Sequence, residues 1–161
     1  MSLLIRVPDQ YEPLRKNRFL LRAPADLGVA EWWVRSASRP SLDINNVEVP
    51  FMNTSNFVSG RYKWDTISIT FIDPIGPSAC QAIMEWVRLH VESVNGRMGY
   101  AVGYKRDLVL EMLDPTGAAV SQWVLKSCNI TNFKGGELSY DNDELATIDL
   151  TVQPFYCILS Y

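Results

Sequence analysis

The chain holds a single histidine, His90, and only three cysteines, at positions 80, 128 and 157. Three is an odd number, and their wide spacing argues against a disulfide framework and for a reducing compartment. No CxxC or HxxxH spacing exists to hold zinc. No GxSxG turn presents a serine nucleophile, and a Ser/His/Asp triad would have to recruit His90, which reads as one polar position on a helix. The glycines at 96, 99 and 103 have the wrong spacing for a dinucleotide loop. They also follow a helix instead of opening one, so the stretch reads as a mobile connection. Basic charge is scarce too: 15 Lys and Arg against 18 Asp and Glu give a net charge of -3. That excludes a general nucleic-acid coat, which needs a cationic excess to displace counterions. No apolar run approaches the roughly 20 residues that cross a bilayer. The first ten residues, with Arg6, Pro8 and Asp9 after a short apolar start, do not read as a signal peptide. The acidic cluster Asp141, Asp143 and Glu144 offers oxygen ligands for a cation. Its plainer reading is a hairpin turn, since Asp and Asn adopt turn conformations cheaply. Nothing assembles a nucleophile, a base and an oxyanion site, so no enzyme, cofactor or metal is expected.

What is present is one core's worth of apolar and aromatic residues: 161 residues, 47% hydrophobic and 11% aromatic. Length predicts a single domain over 1–161. Short apolar segments at 17–23 and 30–38 read as strands; in the second, Trp32 and Val34 face one way, Trp33 and Arg35 the other. Residues 42–52 alternate less cleanly, and 53–60 read as turn. The clearest strand is 64–72, where Ile67, Ile69 and Phe71 alternate with Thr66, Ser68 and Thr70 in strict period two. From 77 to about 94, apolar residues at i, i+3 and i+4 predict one helix, with Ser78 as its N-cap. Segments 107–113 and 120–130 flank an Asp-Pro-Thr-Gly turn and predict a hairpin. A last strand over 145–156 alternates Ile148, Leu150 and Val152 with Thr147, Asp149, Thr151 and Gln153. The expected class is mainly β: an antiparallel β-barrel or sandwich of about seven strands with one flanking α-helix.

Two of these strands carry a wet face of Thr, Ser, Asp and Gln without Lys or Arg. An ordinary solvent-facing sheet has this pattern. Monomers, however, usually protect free strand edges with Lys or bulges, and these strands have little such protection. The alternative is that their edges pair with another copy, closing a shared barrel with a polar bore. Periodicity alone favours the monomer.

Residues Pro50-Phe51-Met52-Asn53, followed by Gly60-Arg61-Tyr62-Lys63-Trp64-Asp65-Thr66, resemble a stretch of the tail tube proteins of contractile-tailed bacteriophages. The resemblance continues through the helix with Trp86, through Gly136-Glu137-Leu138-Ser139-Tyr140-Asp141, and to Tyr156; Asn17-Arg18-Phe19 looks like the opening strand. One departure is Val49-Pro50-Phe51, which lacks the family's glycine before the phenylalanine. The resemblance implies two packed antiparallel sheets, with six copies in a ring and rings stacked into a tube inside a contractile sheath. It implies as partners further copies of the chain, the tail sheath, tape-measure, baseplate and tail-terminator proteins, and DNA as passing cargo. No membrane anchor is implied, and the location would be the virion tail, assembled in the host cytoplasm. Thr66, Ser68, Thr70, Thr147, Asp149, Thr151 and Gln153 would line the lumen, with plain solvent exposure as the other reading. Residues 40–62 would form an inter-ring loop or hairpin, with Leu42, Ile44, Val47, Val49, Phe51, Met52 and Phe57 in contact with a partner unless they pack on their own core. A baseplate initiator or a type VI-like injection tube shares this fold, and a monomeric ligand-binding barrel remains a reading from another class.

Overall fold

Alternation builds the core. On β5 (Ile67–Ile72) the buried residues are Ile67, Ile69 and Phe71; on β8 (Thr147–Gln153) they are Ile148, Leu150 and Val152. The two strands are antiparallel neighbours with Ile67 opposite Val152, Ile69 opposite Leu150 and Phe71 opposite Ile148. Successive side chains of a strand point to opposite faces, so this register places six apolar side chains on one side of the sheet. The computed structural model describes residues 8–161; residues 1–7, most of the segment read for a signal peptide, lie outside the described residues.

The remaining strands are β1 (Phe19–Arg22), β2 (Val34–Ala37), β3 (Leu42–Phe51), β4 (Thr54–Trp64), β6 (Arg106–Leu113), β7 (Ala119–Lys134) and β9 (Tyr156–Leu159). Strand β7 organises them. Its first part pairs with β6 and β9, and its last residues, from Asn129 to Lys134, pair with β8. The path through the seven-stranded sheet is β1-β6-β7-β8-β5-β2, with β9 beside β7. A register shift falls between the two halves at Ser127, whose φ of 52° is unusual for a residue with a side chain. Asp107 holds it, since the Ser127 N–H donates to Asp107 Oδ1 at 2.9 Å. Leu21, Leu110, Leu125, Cys128 and the strands just named close on one core with Trp33.

Helix α1 (Ala79–His90) completes the core with Ala79, Ile83 and Trp86. Ser78 is the N-cap, its hydroxyl accepting from the Gln81 N–H, as its position in the sequence predicts. Asp73 reinforces this end, because its Oδ1 accepts from the Ala79 N–H at 3.0 Å and from the Ser78 hydroxyl at 3.2 Å. The short α2 (Ala101–Tyr104) is tied to α1 through Tyr104, while the glycine-bearing stretch before it, residues 91–103, is exposed along its length. Trp86 Nε1 donates to the Tyr104 carbonyl at 2.7 Å, and the His90 ring stacks on Tyr104 with centroids 4.3 Å apart.

Several expectations change. The described residues form nine strands, against about seven expected. Residues 31–33 form a 3-10 turn, not strand, although Trp32 and Trp33 still diverge, at 69% and 2% exposed. Residues 53–60 are mostly strand, because β4 starts at Thr54 and the turn is confined to Met52 and Asn53. The segment 64–72 is broken at Asp65 and Thr66, and 145–156 at Pro154 and Phe155. The acidic segment around Asp141 is an exposed loop between β7 and β8. Finally, β5 lies between β2 and β8, and β8 between β5 and β7. Neither strand thought to offer a free edge has one; the path ends at β1 and β2.

Candidate assembly surfaces

The face of the sheet opposite the core collects most of the polar positions singled out above. Register sets Ser68 opposite Thr151 and Thr70 opposite Asp149, so both wet strand faces point the same way. The Thr70 hydroxyl donates to Asp149 Oδ1 at 2.9 Å. Thr147 lies opposite Ile72 and is half-buried. Thr66 is exposed but sits in the break before β5. Gln153 is committed elsewhere: its amide donates to the Trp64 carbonyl at 2.7 Å and to the Pro154 carbonyl at 3.0 Å, fastening the root of β4. The flanking strands add Ser36, opposite Thr70, and Asn132 and Lys134, opposite Thr151 and Asp149. Sequence reading missed these three. Ser36 follows a bulge and the others lie beyond 120–130, yet the polar run at 131–132 was a visible signal.

Strands β3 and β4 form a separate two-stranded sheet, paired among the described residues only with each other. Ten residues at about 3.3 Å each make an arm of roughly 30 Å. Every residue from 41 to 59 is exposed. That includes Leu42, Ile44, Val47, Val49 and Phe57, with Phe51 at 69% and Met52 at 90% exposed at the tip. The alternative that this segment packs on its own core is not what the fold does. Val58 and Tyr62 add further exposed apolar surface. The register shifts between Ile44 and Asn46. Ile44 and Val47 are an odd step apart, so the apolar side chains change face across the bulge and both sides of the arm are greasy. Gly60 permits the bulge: a Cβ there would stand 2.8 Å from Val47 Cγ2 and 3.2 Å from the Asn45 carbonyl oxygen.

The groups with chemical potential are occupied by structure. His90 Nε2 accepts from the Ile130 N–H at 3.0 Å, and its Nδ1 lies 3.0 Å from the Trp86 carbonyl, an arrangement that fixes a neutral ring. Burial lowers its pKa, the Trp86 carbonyl opposes that, and the nearby Arg106 charge lowers it further. Burial pushes the Cys128 thiol up to about 12 and the Cys157 thiol up to about 11, which leaves both protonated and inert. Among the described residues no cluster of His, Cys, Asp or Glu is placed to hold a metal ion, and no helix is long and apolar enough to cross a membrane.

No family model matches the chain, and no curated protein matches it in sequence. Solved structures do match. The tube-terminating cap of the anti-feeding prophage superposes with a TM-score of 0.76 at 15% identity, covering 99% of each chain. A chain of the extended sheath–tube complex of an extracellular contractile injection system gives 0.73 at 12% identity, covering 94% of this chain and 93% of that one. Hcp1 from Flavobacterium johnsoniae gives 0.50 at 10% identity over 89% and 94%. At these identities the likeness speaks to the fold. The chain has a mainly β fold of antiparallel sheets with a flanking helix, similar to those of contractile injection system tube and cap proteins.

Proposed function

We propose that this chain is a non-enzymatic, tube-forming subunit of a contractile apparatus. Copies associate side by side into a ring, six to a ring by the phage resemblance, and rings stack into a hollow tube. The observation that carries this reading is the arm at 41–59. A two-sided apolar hairpin that none of the described residues covers is a surface for neighbours. The polar face with Ser68, Thr70, Thr147, Asp149 and Thr151 lines the bore, and Thr66 and Gln153 border it. Leu42, Ile44, Val47, Val49, Phe51, Met52 and Phe57 are the contacts between copies. In a phage tail the bore conducts DNA, and a wall with no net positive charge, its Asp149 set against Lys134, suits a polyanion that must pass without sticking. In an injection system another cargo takes that path. Sheath and baseplate proteins are the outer partners in either case, with tape-measure and terminator proteins in the phage version, where the subunit sits in the virion tail.

A second reading is a cap that ends a tube, favoured by the mutual 99% coverage with the prophage cap. Electron microscopy of the purified protein tests both. Stacked tubes are expected of the tube subunit and single rings of a cap. A protein that stays monomeric at high concentration and fails to add to a baseplate would sink the assembly reading.

A further inference from the structure

The seam between the two ends of the large sheet is an open groove of about 460 Å³. Its apolar lining is the exposed Leu14 and the half-buried Phe19 on β1, with the buried Leu110 and Met112 of β6 beneath them. Its rim carries Arg15, Lys16, Arg35 and Arg39. Among the described residues none of these four is in an ion pair. Such a rim over an apolar floor matches an acidic segment with apolar anchors better than it matches a bare polyanion, which has nothing to place on the floor.

The chain itself carries such a segment. The loop between β7 and β8 holds Glu137, Asp141, Asp143 and Glu144, with exposed Leu138 and Tyr140 between or beside them. Leu138 is 86% exposed, so the loop spends a large apolar side chain on solvent in the isolated chain. We infer that the 137–145 loop of one copy docks in the Arg15–Arg39 groove of a second copy, with Leu138 and Tyr140 on the floor and the carboxylates against the rim cations. This rests on the assembly reading above and names one contact within it. The contact is heterologous, loop to groove, so it propagates from copy to copy instead of closing a pair.

Charge reversal tests it. Arg35→Glu with Arg39→Glu makes the groove repel the loop, and Asp141→Lys with Glu144→Lys makes the loop repel the groove. Each reversed protein alone is expected to lose assembled material by about tenfold or more in sedimentation. An equimolar mixture is expected to recover it, because each reversed surface then meets its complement. Leu138→Ser with Tyr140→Ser probes the floor independently of charge and is expected to weaken assembly too. Wild-type assembly with either reversed protein unaffected overturns the inference and leaves the tube reading standing. Folded reversed proteins that fail alone and also fail when mixed overturn it as well. A wild-type chain that never assembles overturns the inference together with the tube reading.

Discussion

His90 is the one side chain of its kind, and its work is structural. Its unprotonated nitrogen receives the Ile130 N–H, which ties α1 to β7. Protonation removes that acceptor and places a cation near Arg106. Burial first, and Arg106 with it, hold the folded pKa below the ordinary 6.5, against the Trp86 carbonyl. The unfolded chain therefore takes up the proton more readily. The His90 contribution is complete above about pH 6.5 and is lost as pH falls through that value toward the folded pKa. Urea midpoints are expected to drop between about pH 8 and pH 5.5. His90→Gln is expected to flatten that segment of the profile; an unchanged slope would remove His90 from this role. Ser127 is the comparable residue for the backbone, held at positive φ by Asp107. Hydrogen bonding from the Ser127 N–H, followed by Lys126, keeps the Asp107 carboxyl below its usual pKa.

At the scale of elements, Asp73 and Ser78 fix the start of α1. Asp73→Ala removes acceptors from two backbone N–H groups and the Ser78 hydroxyl, and is expected to cost about 1–2 kcal/mol of stability by chemical denaturation. In the arm, Gly60→Val drives a side chain into Val47 and the Asn45 carbonyl. The body should melt as in the wild type while assembly fails; intact assembly would show that the bulge is dispensable. The elements differ in how well sequence discloses them. Strands β5 and β8 and helix α1 were legible because burial on one face writes a period of two or 3.6 directly into the chain. Strand β4 was not, because Asn53, Ser55, Asn56 and Gly60 are turn formers one by one, and the ladder with β3 outweighs that local preference. Strand β7 reads as ending at 130 but continues to Lys134, because Thr131 and Asn132 are exposed and the register shift beside them breaks the alternation. Free edges were misplaced for a different reason: which strand lies beside which is a non-local fact that no single strand's pattern records.

For the whole molecule, the scarcity of catalytic groups and the distribution of surfaces point in one direction. One sheet face is polar, with Asp149 opposite Lys134, an arm carries apolar side chains on both sides, and the buried apolar residues close on one core. If the polar face lines a bore, Asp149→Lys with Thr151→Lys should leave tubes of ordinary appearance by electron microscopy and impair delivery of an anionic cargo. Normal delivery would move that face out of the bore. The sequence shows the wet residues directly and, by resemblance, an apolar loop or hairpin at 40–62; their common orientation and the arm's detachment follow only from the register and the fold.

Strand β7 carries one more consequence. Its 16 residues run unbroken from the β6–β9 side to the β8 side, so the two halves of the sheet share a covalent tie beam. A thrust applied to one half reaches the other through main-chain bonds, not only through side-chain packing. A part that has to be driven lengthwise as a rigid rod gains from such a beam, since the halves cannot shear apart without stripping hydrogen bonds from both flanks of β7 together.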